Sequence, residues 1–270
     1  MRATVLVDNI PKGELRGEWG LSIYIEYQGK NILLDTGASD LFFQNAKKLG
    51  KKIDEVDYAV LSHAHYDHAD GMEAFFAYNG KAGFYLRKGS AENCYAKTWI
   101  FHKYIGIPKG ILEANKERII WAEGDFVLCQ GVSLLPHKTV GLDQIGRKNH
   151  MYIRTKSGWK SDDFSHEQSL VFETEKGLVV FNSCSHGGAD HIIKEVQKTY
   201  PNQTIYALIG GFHIYNRTEA EVRDLARNIK NTGVKEIYTG HCTGERSYRV
   251  LKEELGEMVH QLNAGLVIEV

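Results

Sequence analysis

The segment Leu61-Ser-His-Ala-His-Tyr-Asp-His-Ala-Asp-Gly71 places His63, His65, Asp67 and His68 within six residues of chain. Imidazole nitrogens and a carboxylate are donors that divalent zinc, iron and manganese accept, and no thiolate is needed to complete such a set. In an extended or tightly turned segment His63 and His65 project to one side, while Asp67 and His68 lie a turn further on. One loop can therefore feed two adjacent metal sites. The chemistry open to such a pair of ions is activation of water and polarisation of a carbonyl or phosphoryl oxygen.

Other elements must position that loop. Val56–Leu61 is short, bounded by charge and rich in β-branched or aromatic residues, so it reads as a buried strand with the polar cluster at its carboxyl end. Met72–Ala77 has apolar residues at helical spacing and predicts a helix leaving the site. Upstream, Thr4–Val7, Leu21–Tyr27 and Asn31–Leu34 read as strands of an opening sheet, with Asp35-Thr-Gly37 at the end of the third. Residues 38–50 have helical spacing, with Lys47, Lys48, Lys51 and Lys52 on a solvated face. From Lys81 to Lys116 the pattern is irregular and aromatic, suited to core packing or to a flap over the site. Arg118–Trp121, Phe126–Leu128 and Val132–Leu135 then predict a second, antiparallel sheet portion, and His137 follows at a strand end.

The C-terminal half repeats strand and helix. Strand Ser169–Thr174 precedes Gly177–Asn182, which ends in Ser183-Cys-Ser-His-Gly187; a helix over Ala189–Tyr200 leads to Thr204–Ile209 and Gly210-Gly-Phe-His213. A second helix over Thr218–Asn231, with Glu221 three residues after a Thr N-cap, leads to Val234–Thr239 and Gly240-His-Cys-Thr-Gly244. Because sites in α/β folds collect beyond strand carboxyl ends, His213 and His241 are expected to converge with the first loop. The tail reads as a helix over Arg246–Leu262 and a closing strand over Leu266–Val270.

The chain of 270 residues is 43% hydrophobic and has no Pro-rich, Ser-rich or like-charge linker, so residues 1–270 are expected to form one domain. A net charge of −1 gives no general attraction for nucleic acid or anionic membrane, which leaves a small molecule as the expected partner. The opening residues lack the apolar core of a signal peptide, and no run approaches a membrane span. Cys94, Cys129, Cys184 and Cys242 form no Cys-x-x-Cys pair, so a reducing, cytoplasmic setting is expected.

The His63–His68 motif, together with Ile32-Leu-Leu-Asp-Thr-Gly37 and Gly240-His-Cys-Thr-Gly244, resembles the metallo-β-lactamase superfamily of metal-dependent hydrolases. Gly20-Leu-Ser22, Ser183–Gly187, Gly210–His213 and Gly240–Gly244 are similar, more narrowly, to its 7,8-dihydropterin-6-methyl-4-(β-D-ribofuranosyl)aminobenzene-5′-phosphate synthase-like branch. The resemblance runs from about Val5 to the C-terminus and implies an α/β (α+β) fold, a four-layer αββα sandwich. It also implies two divalent metal ions, zinc first, with iron or manganese as alternatives.

In that reading His63, His65 and His186 hold one ion, and Asp67, His68 and His241 the other, with a shared water or hydroxide as nucleophile. Asp35 would orient the metal loop, Asp67 would accept or relay a proton, and His213 would protonate the leaving group. Two departures leave alternatives open. Relatives carry a bridging Asp where this chain has Cys184, which ligates, tunes the site or packs; and the usual His-x-x-Gly-His third motif is missing, so Asp162, Asp163 or His166 could take its place as ligand or pocket residue. The expected activity is that of a hydrolase or transferase on a small phosphorylated, pterin-like or ester substrate. An iron-containing redox protein and a non-catalytic small-molecule binder on the same fold are the alternatives.

Overall fold

A computed structural model describes residues 1–270. Its layers follow from period-2 patterning, since successive side chains of a strand face opposite sides of a sheet. In strand Arg2–Val7, Ala3 and Val5 oppose Leu6; in Lys30–Leu34, Ile32 and Leu34 oppose Leu33; in Ile205–Ile209, Ala207 and Ile209 oppose Leu208. The first-named residues of each set meet in one core, joined by Phe172 and Phe181, between two facing seven-stranded sheets. Leu6 and Leu33 pack on the helices Leu41–Lys48 and Met72–Tyr78, and Leu208 packs on Ala189–Thr199, Glu219–Thr232 and Glu245–Leu255. The result is the four-layer αββα sandwich, a mixed α/β fold. No helix is long and apolar enough to cross a membrane.

The half of each sheet nearest the site is parallel. Lys30–Leu34, Tyr58–Val60, Gly83–Arg87 and Ile119–Ala122 run parallel in the first sheet, and Gly177–Phe181, Ile205–Ile209, Glu236–Thr239 and Val259–Gln261 in the second. Their carboxyl ends deliver Asp35, His63, Cys184, His213 and His241 to one rim.

Three expectations change. Ile119–Ala122 joins the first sheet beside Gly83–Arg87 instead of a second, antiparallel portion, because an apolar run specifies a strand but not its neighbour. The irregular aromatic stretch contains the strand Gly83–Arg87 and also the hairpin Cys94–Thr98 and Phe101–Tyr104, which pairs with Met151–Thr155 and Gly158–Ser161 in a separate four-stranded sheet. The last long helix stops at Leu255, and Val259–Gln261 becomes an edge strand.

Backbone closeness around the metal loop depends on Gly71. A Cβ there would run into the carbonyl oxygens of Thr36 and, at 2.6 Å, Ser39. Thr36 itself grips the loop, its backbone N–H and hydroxyl donating to the His68 carbonyl at 2.8 and 3.0 Å. Overpacking against fixed backbone costs about 1–3 kcal/mol. Gly71→Ala is therefore expected to lower the stability of the metal-free protein by that amount in a denaturant titration, and an unchanged midpoint would contradict the packing described.

Candidate metal centre

His63 and His65 leave strand Tyr58–Val60 on a short connection, and Asp67 and His68 lie in the single helical turn Tyr66–Ala69 that follows. The turn is held from outside, with Tyr66 N–H donating to the Ile105 carbonyl at 2.9 Å. All four side chains are buried, as are His186 and His241. The structure brings His63, His65 and His186 together, with one ring nitrogen of each within 4.8 Å of the others. Beside them, His241 Nε2 lies 3.2 Å from His68 Nε2 and 3.3 Å from Asp67 Oδ2, and His68 Nε2 lies 3.8 Å from Asp67 Oδ2.

Hydrogen bonds from distant segments decide which nitrogen of each ring is free. Asp35 is fully buried; its Oδ1 accepts from Ser62 N–H at 2.7 Å, and its Oδ2 accepts from Ser62 Oγ at 2.7 Å, Ser183 Oγ at 2.6 Å and His68 Nδ1 at 2.8 Å. Because the Ser62 hydroxyl donates to Asp35, it accepts from His63 Nδ1 at 2.8 Å. One carboxylate thus fixes the tautomers of two histidines, one directly and one through a serine. His186 Nδ1 donates to Glu167 Oε2 at 2.6 Å, and His241 Nδ1 to Asn9 Oδ1 at 3.1 Å.

The Nε2 atoms of His63, His65 and His186 are buried without a hydrogen-bond partner. Orphaned buried nitrogens are costly unless something occupies them, and three converging ones suit a divalent ion. The electrostatics agree. Burial, then the neighbouring rings, holds His63 and His65 well below the usual histidine range; burial also lowers His186 despite Glu167, so all three are neutral donors. Burial pushes the Asp67 carboxyl up, but His68, His241 and His65 outweigh it and keep it ionised far below the carboxylate range.

Cys184 lies where the two sets meet. Its Sγ is 3.3 Å from His68 Nε2 and 3.4 Å from Cys242 Sγ, and it groups with His63 and His68 on one side and with His241 and Cys242 on the other. Both cysteines are free thiols. His213 reaches the same place, with its ring 4.5 Å from that of His186 and Nδ1 buried without a partner. Its backbone N–H donates to Cys242 Sγ at 3.2 Å.

Four non-glycine residues of the rim, Asp35, Ser185, His213 and His241, sit at positive φ between 47° and 59°. Such backbone costs about 1–3 kcal/mol per residue and persists where surrounding contacts over-determine it. Gly210, at φ 144°, lets the His213 loop pass against the Asn182 carbonyl, where a Cβ would collide.

His166, expected as a ligand or pocket residue, stands behind the metal loop. Its Nδ1 accepts from Ala64 N–H at 3.2 Å and its Nε2 pairs with Asp162 Oδ2 at 3.1 Å, and with His65, Cys94 and Asp162 it forms a further buried group of potential donors. Asp163 caps the local turn through Ser165 N–H. Several residues of the site had no signal in the sequence. Asn9 and Asp8 come from the opening loop, with Asp8 Oδ2 accepting from His241 N–H at 3.0 Å and pushed up to about 6 by burial. Glu167 was hidden beside His166. Cys242 stands directly after His241, and that adjacency was the one available clue.

The centre opens into a cavity of about 150 Å³ lined by Trp19, Tyr66, Ile105, Met151, Tyr215 and the site's own His65, Asp67, Cys184, His186 and His213. The Trp19 ring stands 5.2 Å from His241 and edge-on to Tyr215 at 5.8 Å. Ala96 and Met151 from the small sheet complete the wall, so that sheet roofs the centre.

Residues 19–146 match the family model of the metallo-β-lactamase superfamily. The chain is 29% identical to 7,8-dihydropterin-6-methyl-4-(β-D-ribofuranosyl)-aminobenzene-5′-phosphate synthase of Methanocaldococcus jannaschii, over 93% of this chain and 89% of that one. It superposes with a TM-score of 0.85 and 31% identity on the crystal structure of Tm1679, a metal-dependent hydrolase of the β-lactamase superfamily, covering 100% of this chain and 99% of that one. The fold alone is shared with a diphosphatase of the PhnP family, at a TM-score of 0.58 and 14% identity. With sandwich, His-rich rim and a relative above 30% identity along its whole length, the chain belongs to the metallo-β-lactamase superfamily.

Proposed function

We propose that this protein, folded as one domain over residues 1–270, is a metal-dependent hydrolase or transferase with two divalent ions. His63, His65 and His186 would hold one, and Asp67, His68 and His241 the other, with Cys184 Sγ lying where the two sets meet. The observation that carries this reading is the convergence of three buried, unpartnered Nε2 atoms beside a second histidine–carboxylate set. Divalent ions held there supply Lewis acidity and bring the pKa of bound water from ~15.7 towards about 7.

The chain's own residues do the rest. Asp67, kept ionised by its histidines, would hold its ion through Oδ2 and accept, on its other carboxylate oxygen, the hydrogen bond that orients the attacking group and relays its proton. His213, the ring that faces the cavity with a free Nδ1, delivers a proton to the leaving group. Trp19, Tyr66 and Tyr215 limit water and offer faces to a flat ring. A cavity of about 150 Å³ is smaller than the ~300–1,000 Å³ that encloses a whole drug-sized ligand, so it takes only the reacting end of a substrate. A phosphoryl, lactone or thioester group fits that space, with any pterin-like portion lying over Trp19 and Tyr215. The name of the Methanocaldococcus relative supports a phosphorylated, pterin-containing substrate.

A second reading is favoured by Cys184 and Cys242, whose sulfurs suit iron as well as zinc and so keep a redox role open. One experiment separates the readings: the protein is stripped with chelator, reloaded with zinc, iron or manganese, and assayed on phosphodiester, lactone and thioester substrates while its visible spectrum is recorded. Turnover restored by zinc or manganese in a colourless protein is expected. A coloured, iron-dependent protein would favour the redox reading, and binding without turnover under every metal would leave a non-catalytic binder.

A further inference from the structure

A row of buried hydrogen bonds runs from the outer helix Ala189–Thr199 to the metal centre, and it passes through residues with no role in the reaction described above. Glu195, on that helix, accepts through Oε1 from Lys138 N–H at 3.0 Å, Thr139 N–H at 2.8 Å and Thr139 Oγ at 2.5 Å. Its Oε2 accepts from His137 Nδ1 at 3.2 Å. His137 Nε2 donates to Glu167 Oε1 at 2.8 Å, and Glu167 Oε2 accepts from His186 Nδ1 at 2.6 Å. The four side chains are almost wholly buried, with Glu167 only 1% exposed.

We infer that Glu167 is a positioning residue that fixes the ring and tautomer of His186, and that His137 and Glu195 exist to hold Glu167 in place. Both nitrogens of His137 face carboxylates, so both donate and the ring is an imidazolium. Although burial lowers its pKa, Glu167 and Glu195 raise it to about 10. Two carboxylates and one imidazolium leave one net negative charge, placed on the far side of His186 from its free Nε2. A carboxylate in that place raises the basicity of a ligating imidazole.

His186 is the only one of the three clustered histidines with this support, since His63 Nδ1 meets a neutral serine hydroxyl. His186 arrives on a buried turn after a strand of the opposite sheet, next to Ser185 at positive φ. Two further features lock the ring. Phe164 stacks on it at 4.7 Å with an interplanar angle of 9°. Gly187 lets His137 close on the backbone just after His186, where a Cβ would lie 2.9 Å from the His137 ring.

The inference rests on the reading of His186 as a ligand, and the test separates the two. Zinc affinity of the purified protein is measured by competition with a chromophoric chelator, and the visible spectrum is recorded after cobalt loading. His186→Ala is expected to lose one zinc equivalent. Glu167→Gln places an amide N–H₂ against one of two donors, so it is expected to weaken the same equivalent about 10–100-fold, leave the other unchanged and alter the cobalt spectrum. His137→Gln keeps a donor to Glu167 and is expected within about threefold of wild type, with His137→Leu about tenfold weaker.

If His186→Ala keeps both equivalents at full affinity, the ligand reading fails. If His186→Ala loses one but a folded Glu167→Gln binds zinc as the wild type does, the positioning role fails, even where thermal stability has dropped. Should Glu167→Gln not fold, the His137 pair decides: equal affinity for His137→Gln and His137→Leu overturns the inference, and the expected difference upholds it.

Discussion

His65→Ala and Asp67→Ala are each expected to lower metal-dependent turnover about a thousandfold and to cut the bound metal by at least one equivalent. The size follows from the scale on which loss of a single fixed electrostatic group costs about 10²–10³ in rate, increased here because the group also retains the ion. The two variants act on different ions. His65 contributes one of three converging nitrogens, and its Nε2 makes no protein hydrogen bond, so its loss leaves the hydrogen-bond network of the fold intact. Asp67 contributes the anionic oxygen of the neighbouring set, 3.3 Å from His241 Nε2. Metal content by elemental analysis and turnover on reloaded protein provide the check. Two full equivalents with wild-type rates in either variant would remove the basis for the proposed centre.

The second large effect is expected at Asp35. Its carboxylate receives Ser62 N–H, Ser62 Oγ, Ser183 Oγ and His68 Nδ1, and it has no contact with solvent. Asp35→Ala strands these buried donors together. Each unsatisfied buried polar group costs about 1–3 kcal/mol, and breaking a buried charged contact costs about 3–5 kcal/mol. Since these terms are not additive, a loss of roughly 3–5 kcal/mol is expected, a large part of the ~5–15 kcal/mol by which a domain is stable.

Asp35 also sets the tautomers of both His63 and His68, so metal affinity should fall at both ions, by about 10–100-fold each. Asp35→Asn keeps the shape but turns an amide N–H₂ towards donors, and it should weaken metal more than it weakens the fold. Urea unfolding of the metal-free protein, alongside chelator competition, measures the two effects separately. A loss below about 1 kcal/mol in Asp35→Ala would mean that the network is not what holds the rim together.

These expectations show where local and non-local information divide. The sequence by itself determined the cluster of His and Asp in the first loop, the strands that lead into Asp35, His186, His213 and His241, and, through its order of strand-rich and strand–helix segments together with the family resemblance, the two-sheet sandwich. The first two are properties of short stretches, written in residue type and spacing. Thr218 with Glu221 is of the same kind, a capping box visible in four residues and present in the structure.

The tertiary structure alone decided which nitrogens are free. A ring nitrogen is a donor, an acceptor or an open ligand according to its partner. Those partners come from far along the chain: Asn9 for His241, Asp35 for His68, and Glu167 for His186, itself held by His137 and Glu195. His166 follows the same rule, since its partners Ala64 and Asp162 and its neighbours His65 and Cys94 come together only in the folded chain. The small roofing sheet was hidden for a related reason: its short strands from residues 94–104 and 151–161 are half-exposed, so no apolar alternation marks them. The pairing of Cys184 with Cys242 was equally out of reach, because 58 residues separate two sulfurs that the parallel strands bring to 3.4 Å.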